Sequence, residues 1–445
     1  MFGSYLHSGS PVQQANNRQG EAVQVAALER EALQAGARGD AQRANRLWQS
    51  ILAQAPDHPR ALRSLSHAAF QAGDRAQARI LLERLVAVDG RDVQQWLNLA
   101  VVCLAMGDDT GEEAAIRGAL TVDAYDLVAL LMRSRLYIRQ GKRQAAAAAC
   151  AAVAAVAPPL QSLAPDLQPA VREALAWHEA YSREFGSYLD DFLAPHLKAL
   201  DGENLGRFRD SLDVMVGRKR RYDSQPAMFH YQGLAPVSFF ERADFPWLDA
   251  FEAATGAIRD EFLAVMGSSE GFSPYINYGD DQPLAQWAEL NRSPSWNAFR
   301  LIDNGEPVAG NAGRCPRTMA VLGGAPQPDQ PGRTPSAMFS VLKPRTKIPP
   351  HTGVSNVRLV THLPLIVPAD CGFRVGNDTR LWEEGKAWVF DDTIEHEAWN
   401  NSEQMRVVLI FDIWHPGLSQ AERAMVTAMS AGINAFTQTA GGFQL

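Results

Sequence analysis

A short signature, Gly followed by Asp or Lys, returns every 34 residues through the first third of the chain: Gly39-Asp40, Gly73-Asp74, Gly107-Asp108 and Gly141-Lys142. A second series, Pro56, Gly90, Ala124 and Pro158, keeps the same interval. Between the two series lie segments such as AQRANRLWQSILAQA and RAQARILLERLVAV, whose apolar residues recur with helical spacing. A fixed interval excludes most architectures, because each unit must offer the same faces to the unit before it and the unit after it. The Gly-Asp pair has a local reason: Gly accepts the left-handed backbone that ends one helix, and Asp can cap the next. Ala44, Ala78 and Ala146 share one equivalent place, where the close approach of paired helices leaves no room for more.

Period and pattern resemble tetratricopeptide repeats, about four of them over residues 21–158, with Trp96 and Leu99 at the large apolar positions of a first helix. The resemblance implies an all-α solenoid whose concave face binds other polypeptides, so a protein or peptide substrate recruited by the repeats is expected. An irregular helical bundle is the alternative. Residues 1–20 read as a flexible N-terminus. Residues 159–235 read as a capping helix, over AVREALAWHEAYSREFGSYLDDFL, and then a polar linker from Asp201 to about Pro236.

The chain of 445 residues is long enough for two or three domains, and its formal charge of -8 argues against a general nucleic-acid binder. The basic run Arg218-Lys219-Arg220-Arg221 reads as a solvated loop. Cys103, Cys150, Cys315 and Cys371 are scattered and form no CxxC pair, so a reducing compartment is expected. No basic segment followed by an apolar run opens the sequence, and the apolar window Ala145 to Ala157 is too short to span a bilayer. A cytoplasmic protein without a membrane span is the expectation.

The last 200 or so residues, 236–445, are different in kind. SAMFSVLKPRT, NVRLVTHLPLIV, GFRVGNDTRLW, KAWVFDDT, EHEAWNN and MRVVLIFDIWH are short, rich in β-branched and aromatic residues, and separated by turn formers. That pattern predicts an antiparallel β sandwich or barrel, with flanking helices over Trp247 to Met266 and Leu418 to about Phe436. The chain therefore reads as an α + β multidomain protein.

His351, His362, His396 and His415 fall within 65 residues of this β region. His351 follows Ile348-Pro349-Pro350, a rigid entry expected to present its ring at a strand start, and His396 follows the strand KAWVF. Two imidazoles near a sandwich mouth can share a metal, and neutral imidazole suits Fe(II). The order of elements, a His, about 45 residues of sheet, a second His, then Arg406, matches jelly-roll oxygenases that use Fe(II) and 2-oxoglutarate. Trp382, Trp388, Trp399, Trp414 and His415 read as core or pocket wall, and Glu395 and Glu397 as pointing away from any metal.

The segments FSVLKP, PPHTGVSNVRL, HLPLIVP, WEEGKAWVFDDTIEHEAWNNS and MRVVLIFDIWHP are together similar to the aspartyl/asparaginyl β-hydroxylase family, over roughly Phe239 to Leu418. The resemblance implies a double-stranded β-helix, or jelly-roll, domain that uses Fe(II) and 2-oxoglutarate to hydroxylate the β-carbon of Asp or Asn. It implies His351 and His396 as the iron ligands, with Gly353 where other oxygenases carry a carboxylate. It further places Trp296, Ser340, His362 and Arg406 at the cosubstrate and makes Asp392 a catalytic residue near the iron-bound water. Well-studied members carry two arginines separated by one residue after the first His; here Arg358 is followed by Val360, and Arg358 stands as a candidate for the cosubstrate or for an acidic side chain. The alternatives are hydroxylation of a lipid acyl chain or small molecule, and a catalytically impaired tetratricopeptide adaptor.

Overall fold

The computed structural model describes residues 11–437 apart from 269, 280 and 282–286. It divides into two compact units, 1–209 and 210–445.

The first unit is helical. Helices α1 (Pro11–Ala37) and α2 (Ala41–Gln54), α3 (Pro59–Gln71) and α4 (Arg75–Val88), α5 (Val93–Met106) and α6 (Asp109–Val122), and α7 (Leu127–Arg139) and α8 (Arg143–Val156) pack as successive pairs. All four glycines of the 34-residue series take positive φ, between 68° and 82°. Asp40, Asp74 and Asp108 then accept the backbone N–H groups of Arg43, Gln77 and Gly111, closing the first turn of the second helix in each pair. Lys142, in the fourth place, makes no such cap. Ala44, Ala78 and Ala146 are buried as their spacing requires. Their counterpart in the third repeat is Glu112, also buried and held by Arg139 at 2.5 Å. Burial raises the pKa of that carboxyl even against the guanidinium.

The capping segment forms one continuous helix, α9 (Gln168–Ala199). Two boundaries differ from the sequence reading. The first helix begins at Pro11, inside the segment expected to be flexible, and the first ten residues lie outside the described region. The stretch expected as a polar linker contains a helix, Gly206–Met215. Nearby, three of the four cations of the basic run pair within the chain, Arg218 with Asp213, Lys219 with Asp210 and Arg221 with Asp223, while Arg220 lies over the Tyr222 ring. No helix among the described residues is long and apolar enough to cross a membrane. All four cysteines are free and buried.

The second unit is β-rich. Strands β1 (Phe272–Pro274), β2 (Trp296–Asp303), β4 (Ala337–Leu342), β11 (Arg406–Trp414), β6 (Arg358–Ile366) and β9 (Trp388–Phe390) lie in that order, with β3 (Glu306–Pro307) paired to β2. A smaller sheet runs β5 (Thr346–His351), β10 (His396–Asn400), β7 (Cys371–Val375) and β8 (Asp378–Arg380). Every pairing between these strands is antiparallel.

Two-residue alternation explains how the larger sheet serves two purposes. Val407, Leu409, Phe411 and Ile413 of β11, with Leu359, Leu363 and Leu365 of β6, join the core that also holds Leu248, Phe251, Ile258 and Phe262. Those four come from helices Leu248–Ala253 and Thr255–Met266, which are separate where the sequence predicts one. Phe251 stacks on Phe411 with ring centroids 4.7 Å apart. The alternate residues of the same strands, Arg406, Ile410 and Asp412 of β11 and Arg358, Val360 and His362 of β6, line a cavity together with residues of the smaller sheet. The closing helix, Gln420–Thr437, starts with the capping box that Ser419 and Glu422 predict, with reciprocal bonds of 2.8 and 3.3 Å.

Candidate active site

The cavity between the two sheets has a volume of about 370 Å³. At its smaller-sheet wall, His351 and His396 are cross-strand partners on β5 and β10, with ring centroids 4.0 Å apart. His351 ends β5; it does not begin a strand, as Pro349-Pro350 had suggested. The prolines fit because β5 is an edge strand and the register shifts between His396 and Ala398 of its partner.

Both imidazoles are prepared in the same way. His351 Nδ1 lies 2.8 Å from the Pro349 carbonyl oxygen, and His396 Nδ1 lies 3.0 Å from that of Ile394. A carbonyl can only accept, so Nδ1 carries the proton in each ring and Nε2 keeps a lone pair. Burial, with the facing His396, pushes the His351 pKa down to about 3, and burial pushes that of His396 down to about 4. Two neutral rings with oriented lone pairs fit a divalent metal. Among the described residues no group of three or more His, Cys, Asp or Glu side chains could complete a larger cage.

Gly353 explains why no third ligand stands beside them. A Cβ built on it would fall 2.1 Å from Asp392 Oδ2, and its N–H donates to the Asp392 carbonyl at 2.6 Å. The Asp392 carboxylate therefore occupies the space where a side chain at position 353 would begin. Burial raises the Asp392 pKa, opposed by the charge of Arg358, whose Nη2 lies 3.1 Å from Asp392 Oδ2. Arg358 also donates from Nη1 to Asp412 Oδ1 at 2.9 Å. Its guanidinium, expected to meet the cosubstrate or an acidic substrate, is thus gripped by two carboxylates of the chain itself. Burial works against its charge, but Asp392 and Asp412 raise its pKa above the ordinary value.

The other end of the cavity holds the remaining candidates. Arg406 is buried, with Nε and Nη1 lacking any hydrogen-bond partner, and makes no ion pair among the described residues. Its guanidinium carbon sits 4.7 Å from the Trp382 ring centroid. Burial pulls its pKa down to about 10. His362, also buried, has an unpaired Nδ1 and is held neutral by burial and by the Arg406 charge. Trp296 donates its indole N–H to Ser340 Oγ at 3.0 Å, which leaves the Ser340 O–H free to donate. A buried cation and donors without an anion are costly unless a ligand completes them. The chemistry of this end fits a carboxylate-bearing small molecule.

Three residues that shape the site escaped the sequence reading. Asp412 was legible in principle, as a lone carboxylate in the apolar strand RVVLIFDIW that demands a partner. Tyr275 stacks on Trp296 at 3.8 Å, and Trp287 meets His351 edge-on at 4.9 Å; no local signal marks either. Glu395 and Glu397 point away as expected, both paired to Arg374. His415 accepts the Gly417 N–H and packs on Phe240, a structural position.

Comparison with known proteins reaches the same region. Residues 252–416 match the family model described as Aspartyl/Asparaginyl beta-hydroxylase, and residues 37–108 match a tetratricopeptide repeat model. The human protein named aspartyl/asparaginyl beta-hydroxylase is 34% identical over 174 residues, 39% of this chain and 21% of that protein. The ornithine lipid ester-linked acyl 2-hydroxylase of Rhizobium tropici is 34% identical over 194 residues, covering 43% of this chain and 65% of its own length. Aspartate beta-hydroxylase domain-containing protein 2 of Xenopus tropicalis is 30% identical over 213 residues, 46% of this chain and 55% of that protein. These alignments span between a fifth and just under two thirds of the relatives' own lengths. Residues 252–416 thus belong to the aspartyl/asparaginyl beta-hydroxylase family, and the chain joins that domain to tetratricopeptide repeats.

Proposed function

We propose that the second unit is an oxygenase of double-stranded β-helix type that hydroxylates an unactivated carbon, with Fe(II) held by His351 and His396 and 2-oxoglutarate held against Arg406. The observation that carries this reading is one cavity with two oriented, neutral imidazoles at one wall and an unneutralised, buried guanidinium at its far end. When bound, the metal and cosubstrate supply the oxidising chemistry: O₂ converts 2-oxoglutarate to succinate and CO₂ and delivers its second oxygen atom to the substrate C–H bond.

The chain's own residues bind and orient. Arg406 pairs with the distal carboxylate of the cosubstrate, and a guanidinium fork can take both oxygens at once. Ser340 donates to a cosubstrate oxygen, His362 adds a neutral imidazole beside it, and Trp296 and Tyr275 wall the pocket. Asp392 brings a negative charge to the place vacated at Gly353 and can orient a metal-bound water; it is the candidate catalytic carboxylate. Arg358 is assigned to holding Asp392 and Asp412, rather than to the cosubstrate.

The substrate reading is a protein or peptide. The repeats support it with a groove of about 660 Å³ lined by Arg63, His67, Phe70, Gln94 and Asn98, a mixture of donors and apolar surface suited to extended chain. The relative that acts on a lipid acyl chain supports the second reading, an acyl substrate. An adaptor without activity would have no use for an unpaired Arg406, which costs stability and gains nothing without a ligand.

The test is direct. Anaerobic addition of Fe(II) and 2-oxoglutarate to the full chain should give tight metal retention, and admission of O₂ should release succinate. Absence of both would return the chain to the adaptor reading. Gain of one oxygen on cellular polypeptides, compared by mass spectrometry with and without the chain, separates the peptide reading from the acyl one.

A further inference from the structure

Beside the histidine pair, the cavity wall carries two carboxylates, Asp392 and Asp412, on one guanidinium, Arg358. All three are buried. Among the described lining residues the only other cation of fixed charge is Arg406. Arg333 lines the adjoining cavity behind Arg358 and Asp412, not this one. Val360 stands between Arg358 and His362 on the inward face of β6 and pairs with Asp412 of β11; one row further on, His362 pairs with Ile410, and Ile410 with Met338 of β4, so apolar side chains flank the charged group.

This inference rests on the oxygenase assignment above. With Fe(II) and the 2-oxoglutarate dianion in place, the metal and two guanidiniums carry four positive charges. Asp392, Asp412 and the cosubstrate carry four negative ones. The loaded cavity is therefore neutral before any substrate enters. We propose that it takes an uncharged peptide side chain at the reacting position, accepting asparagine and refusing aspartate. A carboxylate entering here finds no free cation, because Arg358 is already bridged to two anions and Arg406 is committed to the cosubstrate. It would be an unpaired buried charge, the arrangement that low-dielectric interiors penalise most. A carboxamide brings the same shape without that charge, and its N–H₂ group can donate towards the carboxylate-rich wall.

The test uses two randomised peptide libraries identical except for a fixed central residue, Asn in one and Asp in the other. They are passed over the full chain loaded with Mn(II) and 2-oxoglutarate, so that retention reads binding and not turnover. The Asn library should be retained at least about tenfold more strongly. Equal retention, a preference for Asp, or retention of neither overturns the proposal. Asp412→Asn removes one negative charge from the wall and should move the ratio towards Asp by about tenfold; an unchanged ratio in a folded variant sinks the charge argument. Val360→Lys, which adds a cation to the same wall, should move it in the same direction and serves if Asp412→Asn does not fold. Metal retention and succinate release from Fe(II)-loaded chain are measured alongside. Succinate without the peptide preference defeats this inference alone, whereas loss of metal retention and succinate defeats the oxygenase reading as well.

Discussion

Arg406 and Arg358 lie on neighbouring strands of one sheet, are both buried, and line the same cavity, yet they stand in opposite electrostatic situations. Arg358 has two carboxylates of its own chain within 3.1 Å. Arg406 has none among the described residues, only the face of Trp382. One cation is neutralised within the frame; the other has no such partner among the described residues, where the proposed cosubstrate would supply one. The contrast teaches where to look for a ligand in such a domain: at the buried charge that the fold has left uncompensated, not at every buried charge.

The largest expected effect tests whether the cavity is a metal site at all. His351→Ala and His396→Ala should each reduce Fe(II) or Mn(II) affinity by more than the ten- to hundredfold typical of a lost outer partner, with the circular dichroism of the chain unchanged. Next comes the contrast between the arginines. Arg358→Met leaves two buried carboxylates facing each other and should cost about 3–5 kcal/mol in urea unfolding of the second unit. Arg406→Met removes an unpaired charge, so the same measurement should show no loss or a gain, while 2-oxoglutarate affinity falls by roughly a hundredfold or more. Equal destabilisation by both substitutions would break the comparison.

A third buried carboxylate, Asp391, next in sequence to Asp392, sharpens it further. Burial pushes the Asp391 pKa up to about 6 from an ordinary 3.8, although Thr393 donates to it twice. Because the folded state holds this proton longer, the associated stability is present below pH 4 and is lost as pH rises through 6. The loss amounts to about 2–3 kcal/mol by pH 7.5. Asp391→Asn should therefore flatten the pH dependence of unfolding between pH 4 and 7. The smallest effect belongs to the repeats: Asp74→Ala removes one helix cap and should cost about 1 kcal/mol by thermal or urea unfolding.

The repeat region was the more legible of the two because its contacts are local and recur. Gly73-Asp74 announces a turn and a cap within two residues, and the copies at Gly39-Asp40 and Gly107-Asp108 repeat both. Even there a single substitution changed the chemistry, since the equivalent of Ala78 is a buried Glu112 that needs Arg139 from the next helix. The β region was legible in its strands, whose two-residue alternation separates Leu409 from Ile410, and in the residues that carry the family resemblance. It was not legible in its pairings. His351 meets His396 across 45 residues of sequence, Trp296 meets Ser340 across 44, and Arg358 meets Asp412 across 54.

By itself the sequence determined the periodic solenoid, the alternating strands and the set of polar residues that an apolar β interior must somehow accommodate. Those properties follow from helix caps, turn formers and hydrophobic periodicity, all of which act over a few residues. Only the tertiary structure decided which of those polar residues satisfy one another. It set Asp392 in the space beside Gly353, closed Asp412 onto Arg358, and left Arg406 without an anion among the described residues. The reason is that electrostatic partners are chosen by strand order and register, and both depend on where distant segments of the chain meet.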